Sequence, residues 1–251
     1  MIGVAYLDND ELQVYRGKDF VINDKIVIHQ PTLDEICEWG EEKYFTFVYS
    51  FVATPTDRKY ELHKNGIDWN ETSDYQLFLY SFKTYEKSMT KIIFGDIDFQ
   101  KFELFQNKNN DEIVLYDAES DIAFDRSIFE IVCNYLRQAH NITKNVEIAM
   151  TPTTKEVLLE EAKEQIEMKK KKPYKSFLLP LISTLINMSE FKQNWTNVWD
   201  MKINAFMDSV TRVQHVKNAD LLLSSGYSGF GVDLKKINKD NLNYFSRPDE
   251  N

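Results

Sequence analysis

Residues 31–55 read PTLDEICEWGEEKYFTFVYSFVATP and predict the helix around which the fold is organised. Thr32 and Glu35 stand three positions apart at its start, which is the pattern of a capping box. Behind this cap, apolar residues recur at helical spacing: Leu33, Ile36, Cys37, Gly40, Tyr44, Phe47, Val48 and Phe51. Pro55 ends the pattern. We therefore expect one long amphipathic helix, with Cys37 as a structural thiol on its buried side.

Short segments rich in β-branched and aromatic residues flank this helix and predict strands. They are VAYL (4–7), ELQVY (11–15) and KIVIH (25–29) before it, and KIIFG (91–95), FQKFELF (99–105) and EIVLY (112–116) after it. The polar stretch QNKNND (106–111) is typical of a hairpin connection between the last two. Two further helices are expected, one after Ser73 and one over residues 125–140 with Asp125 as its cap.

From Thr151 onward the chain reads as helical. TPTTKEVLLEEAKEQIEMKKKK is acidic at its start and basic at its end, an order that suits the helix dipole. A short apolar helix is expected at 176–188 and a long one at about 196–224. The long one carries a seam spaced by 4, 3, 4 and 3 residues: Trp199, Ile203, Phe206, Val210 and Val213.

These patterns together predict an α+β fold. Its first half, residues 1–150, mixes α and β structure with short antiparallel strands. Its second half, residues 151–251, is mainly α-helical, with a Gly-rich turn and a C-terminal tail. The boundary near residue 150 is soft, and the two halves could form one domain.

Three glycines, Gly226, Gly229 and Gly231, follow the predicted end of the long helix. Phosphate-binding glycine loops follow a strand and open onto a helix, whereas this run follows a helix. We therefore favour a cap and turn over a ligand loop, with Gly226 in the left-handed position of a helix C-cap.

No catalytic or metal-binding pattern is found in the sequence. The four histidines are far apart, and neither H-E-x-x-H nor C-x-x-C occurs. The acidic run from Asp117 to Asp125 lacks the glycine and glutamate of an EF-hand. Asp96 and Asp98 could pair beside a strand as nuclease carboxylates do, but a structural role is favoured. Buried structural thiols are expected at Cys37 and Cys133. The interpretation is a non-enzyme without cofactor or metal.

The formal net charge of −10 argues against non-specific binding to nucleic acid. The only basic cluster, KKKKPYK (169–175), is favoured as a solvated helix end over a contact with an acidic partner. Neither a signal peptide nor a sufficiently long apolar run is apparent, so a cytoplasmic protein without a membrane segment is expected.

Aromatic residues at loop-like positions are candidates for contact with a partner. They are Trp195, Tyr227, Phe230, Tyr244 and Phe245. Residues of the predicted seam, Trp199, Ile203, Phe206 and Val210, are added as apolar candidates. The alternative, a C-terminal tail that folds back on its own core, stays open at this point.

Three stretches carry a resemblance to a known group of proteins: residues 31–45, SFLLPLISTLIN (176–187) and residues 198–245. They resemble proteins from the tail modules of phages that infect Gram-positive bacteria, which are interpreted as tail assembly chaperones or tail morphogenesis proteins. The resemblance implies binding to a long helical tape-measure protein, without catalytic residues, in the host cytoplasm. Ranked below this assembly factor are a structural virion component (baseplate, neck or tail subunit) and, last, an enzyme that acts on nucleic acid.

Overall fold

The computed structural model describes residues 11–106, 112–228 and 231–246. Within these ranges the fold is α+β, as predicted: two small antiparallel sheets lie in the first half and helices dominate the second. The predicted strand at 4–7, most of the predicted hairpin connection at 106–111, Gly229 and Phe230 lie outside the described residues.

The elements of the first half alternate between short helices and short strands. They are α1 (Glu11–Tyr15), β1 (Phe20–Val21), β2 (Val27–Ile28), α2 (Leu33–Trp39), α3 (Glu41–Phe51), α4 (Lys59–Lys64), α5 (Asp74–Ser81), α6 (Lys87–Phe94), β3 (Glu103–Gln106), β4 (Ile113–Asp117), β5 (Ile122–Phe124) and α7 (Arg126–His140). Strand β1 pairs with β2, and β4 lies between β3 and β5 in a three-stranded sheet. The second half consists of α8 (Pro152–Lys170), α9 (Leu178–Ile186) and α10 (Ile203–Tyr227), with short 3₁₀ turns.

The capping box at Thr32 is confirmed, but the expected long helix is two helices. Thr32 accepts from the Glu35 N–H at 3.1 Å, and the Glu35 carboxylate accepts from the Thr32 N–H at 2.7 Å. Gly40 then adopts φ 100°, which ends α2 and begins α3 in a new direction. Because α2 buries only Leu33 and Ile36, Cys37 is exposed, and its predicted burial is wrong.

Two predicted strands are helices. KIIFG forms the end of α6, which buries Thr90, Ile93 and Phe94 at helical spacing and is terminated by Gly95 at φ 59°. ELQVY forms α1, which is anchored by the single buried side chain of Val14. In both cases tertiary burial of one helical face outweighs the β propensity of branched residues. Strand β5 was not predicted.

Aromatic side chains fill the centre of the core. Phe51 is surrounded by six ring neighbours with centroids 5.3–5.9 Å away: Phe47, Phe78, Tyr85, Phe94, Phe99 and Phe129. Helices α3, α5, α6 and α7 contribute four of these rings, and Tyr85 and Phe99 come from the 3₁₀ segments beside α6, so the aromatic residues that are abundant in the sequence hold the first half together. The Phe51–Phe78 pair is edge-to-face and the other five pairs are tilted, and such aromatic contacts add stability beyond the area that they bury.

The two halves share one core and are joined by backbone hydrogen bonds. Leu33 N–H donates to the Met201 carbonyl, and Ile203 N–H donates to the Pro31 carbonyl, both at 3.0 Å. These bonds flank an antiparallel bridge between Thr32 and Lys202. Buried residues of α9 and α10 belong to the same apolar cluster as those of α2 and α3. The soft boundary near residue 150 therefore does not separate two cores.

Helix α10 continues through the glycine that was predicted to terminate it. Gly226 lies inside the helix, and Ser228 caps it with φ −68°. The predicted left-handed cap at Gly226 is therefore wrong. Glycine is needed here for close packing instead, because a Cβ at this position would lie 2.2 Å from Leu234 Cγ. Gly226 lets the C-terminal segment approach the helix.

The C-terminal segment 231–246 folds back on α10, in agreement with the alternative that the sequence left open. The Arg212 guanidinium donates to the carbonyls of Tyr244 and Ser246, at 2.9 and 2.8 Å. The His215 ring lies 2.8 Å from the Asn243 carbonyl. Among the described residues, none of the helices is both long and apolar enough to span a lipid bilayer.

Candidate partner-binding groove

An apolar groove lies between α9 and α10, and we define it by five residues that line it: Leu181, Leu185, Met188, Val210 and Val213. Its volume is about 530 Å³. Leu185 belongs to the core, whereas the other four residues are partly buried and pack against the core from outside. The groove is thus a continuation of the core that reaches the surface.

Helix α9 forms one wall because it carries two neighbouring apolar stripes. Leu178, Ile182 and Leu185 are buried beneath it. Leu181, Leu185 and Met188 step by four and three residues along the adjacent face, which is the spacing of a continuous stripe on one side of a helix. A helix that is apolar on more than one side buries only part of that surface against its own core.

Helix α10 forms the other wall with the outer part of the predicted seam. Phe206 is fully buried, while Val210 and Val213 are partly buried and pack against the core. Gln214 and Asn218 line the groove beside them and give it a polar edge. Such a trough, apolar at its floor and polar at its edge, suits the apolar face of an amphipathic helix.

An ion pair closes the polar edge of the groove. Lys217 Nζ donates to the Glu190 carboxylate at 2.5 Å, and Lys217 also lines the groove. This hydrogen bond lowers the pKa of Glu190 to about 2. Glu190 is therefore ionised at neutral pH and ties the segment after α9 to α10.

The nine predicted contact residues fall into different environments. Ile203 and Phe206 are fully buried in the core, so they stabilise the protein and do not offer surface to a partner. Val210 lines the groove. Phe230 lies outside the described residues.

The remaining predicted residues lie at the surface or close to it. Trp195 is exposed and packs edge-on against the partly buried Trp199, with 5.6 Å between ring centroids. Tyr227, at the end of α10, and Phe245 are exposed. The Tyr244 hydroxyl donates to the Asp220 carboxylate at 2.5 Å, so Tyr244 helps to fasten the C-terminal segment.

The predicted carboxylate pair has structural partners. Asp96 and Asp98 lie in the loop after α6, not beside a strand. Asp96 is 3.2 Å from Lys87 Nζ, and Asp98 accepts from the Gln100 N–H at 3.1 Å, which caps a 3₁₀ turn. Both line a cleft of about 450 Å³ with Lys101.

Other candidates for chemistry are also engaged in structural contacts. Burial raises the pKa of the Cys133 thiol to about 12, as expected for a structural cysteine. Asp125 caps α7 through the Ile128 N–H at 2.8 Å, as predicted. No group of three or more potential metal ligands was found in the part of the chain that the structure describes.

Leu181, Leu185 and Met188 were not predicted as contact residues. Their four- and three-residue steps were visible in SFLLPLISTLINM, but the segment was interpreted only as an apolar helix. A search for a second apolar stripe beside the buried one would have found them. These residues line one groove with Val210 and Val213 only because α9 packs beside α10, and no local sequence pattern specifies that packing.

Comparison with known proteins identified no relative, so the groove is the main evidence on which a function can be proposed. No protein-family model matches the chain, no curated protein matches it, and no solved structure matches it.

Proposed function

We propose that this protein is a non-enzymatic assembly factor of a phage tail that binds a helical segment of the tape-measure protein in the host cytoplasm. The observation that carries the proposal is the apolar groove between α9 and α10. A tape-measure protein is long and helical, and its apolar stripes need cover before the tail tube encloses them.

The groove supports this role by its shape and chemistry. Leu181, Met188, Val210 and Val213 present side chains at helical spacing from two walls. An amphipathic helix that inserts residues at i, i+3, i+4 and i+7 between such walls buries its apolar face. The net charge of −10 keeps the protein, and a complex with an apolar client, soluble.

Exposed aromatic residues outside the groove extend the surface that such a client could contact. Trp195 is the largest of them, and Leu221 on α10 is a further exposed apolar residue. Large, rigid side chains dominate the binding energy of protein interfaces. We assign these residues a secondary role, because they are single side chains, whereas the groove is a continuous apolar site.

Co-expression with the tape-measure protein encoded in the same tail module tests the proposal. We expect the two proteins to co-purify, and we expect mass spectrometry of finished virions to lack this chain. Its abundant presence in virions, without co-purification, would favour a structural subunit of the baseplate, neck or tail.

A further inference from the structure

The segment between α7 and α8 forms an isolated extended edge. Residues 142–150 run without a turn or bend along the outside of the protein. The Ala149 N–H donates to Asn70 Oδ1 at 3.3 Å, and Asn70 Nδ2 donates to the Ala149 carbonyl at 3.0 Å. The Asn70 side-chain amide thus takes the place of a peptide group in a neighbouring strand.

Thr56 makes the same kind of contact two residues earlier. The Glu147 N–H donates to Thr56 Oγ1 at 3.1 Å, and the Thr56 hydroxyl donates to the Glu147 carbonyl at 3.4 Å. Glu147 also forms an ion pair with Lys59. The backbone groups of residues 147 and 149 therefore face the protein and are held there by side chains.

The backbone groups of the alternate residues, 146, 148 and 150, face away from the protein. In an extended strand, the N–H and C=O groups of successive residues point to opposite edges. Accordingly, the backbone groups of Val146, Ile148 and Met150 form no hydrogen bond to any described residue. Their side chains are exposed to 66%, 65% and 87%. The segment thus combines an open row of backbone donors and acceptors with an apolar face.

Natural proteins protect an open edge with lysine, proline or a bulge, because an unprotected edge pairs with other chains. None of the three outward residues is charged or proline. Protection begins only at Pro152, which has no N–H and starts α8. Residues 146–150 therefore form a site for strand addition, in which backbone hydrogen bonds supply the affinity.

We propose that residues 146–150 pair antiparallel with the same residues of a second copy, about a two-fold axis at Ile148. This register places Val146 opposite Met150, so that every outward N–H and C=O gains a partner. Glu147 lies opposite Ala149 and not opposite a second glutamate. The segment thus matches itself in apolar pattern and in charge, which is the self-complementarity that a two-fold interface requires.

Proline at position 148 is the sharpest test, because the Ile148 N–H has no internal partner to lose. Residue 147, which precedes it, lies in the stretch without turn or bend, and a residue before proline favours the extended backbone. Ile148→Pro therefore removes a donor of the outer edge only. Ile148→Val retains the N–H and the β-branched shape and serves as the matched control. Circular dichroism establishes that each variant is folded.

Sedimentation equilibrium gives the solution mass of the three proteins over a range of concentrations. We expect the wild-type chain of 29.6 kDa and Ile148→Val to form dimers as concentration rises, and folded Ile148→Pro to stay monomeric. Hydrogen exchange at the amides of residues 146, 148 and 150 should slow in the wild-type dimer. A wild-type monomer at the highest concentration, a dimer that persists in Ile148→Pro, or unprotected amides within the dimer would each overturn the proposal.

Discussion

The Tyr44 hydroxyl lies 2.5 Å from His140 Nε2 in the core, and the other ring nitrogen of His140 lies 2.7 Å from the Leu136 carbonyl. A carbonyl only accepts, so Nδ1 carries the proton and Nε2 accepts from the Tyr44 O–H. Both nitrogens of a neutral imidazole are thereby satisfied. Burial lowers the pKa of His140 to about 4, because the charged ring would lose its hydration.

This histidine predicts acid sensitivity. Its pKa is lower in the folded state than the ordinary value of about 6.5, so its contribution to stability is complete above pH 6.5 and is lost as the pH falls towards 4. Between pH 7.5 and pH 5 we expect a loss of about 2 kcal/mol from this group. Urea unfolding of the wild type and His140→Asn at both pH values measures it. Equal pH dependence in the two proteins would show that His140 is not responsible.

The aromatic core predicts a large cavity effect at Phe51. Phe51→Ala removes a ring that contacts six others, so we expect a loss of about 3–5 kcal/mol in the free energy of unfolding. Phe245→Ala, at a position that is 91% exposed, is the matched control and should change stability by less than about 0.5 kcal/mol. Chemical denaturation of both variants decides the point, and similar losses at the two positions would contradict this packing.

Gly40 predicts a backbone effect where α2 meets α3. Gly40 has φ 100°, a conformation that other residues rarely adopt. A Cβ at this position would not clash, since its nearest neighbour would be Lys43 Cβ at 4.0 Å, an ordinary contact distance. We therefore expect Gly40→Ala to reduce stability by about 1–3 kcal/mol through backbone strain alone. Gly40→Asn should be similarly harmful, because φ 100° and ψ 109° lie outside the left-handed helical region in which asparagine is enriched. Thermal unfolding compares the two, and a stabilising Gly40→Ala would indicate one continuous helix.

Gly226 predicts a change in how the C-terminal segment is attached. Alanine should favour α10 locally by about 1 kcal/mol. Its Cβ, however, would displace Leu234, whose Cγ lies 2.2 Å from that position. We expect Gly226→Ala to speed proteolysis of residues 231–246, and Leu234→Ala in the same chain to relieve the clash. If the cleavage rate of Gly226→Ala equals that of the wild type, Leu234 does not pack there.

Local signals in the sequence were sufficient to predict where a helix begins when a side chain caps it. The capping boxes at Thr32 and Ser73 and the Asp125 cap each fix a helix start through contacts within three residues. KIIFG was misassigned because the burial of Ile93 and Phe94 depends on partners distant in sequence. The groove was only partly predictable for the same reason: Val210 belonged to a visible seam, whereas its position in one groove with Met188 depends on tertiary packing.

The affinity of a tape-measure segment for matched variants tests the central claim most directly. Val213→Asp places a charge in the apolar groove, and Val157→Asp places the same charge at an exposed apolar position on α8. By isothermal titration calorimetry we predict wild-type affinity for Val157→Asp and at least about tenfold weaker binding for Val213→Asp, or about 1.4 kcal/mol. Absence of binding to the wild type, or equal affinity for the two folded variants, would contradict the proposed role of the groove.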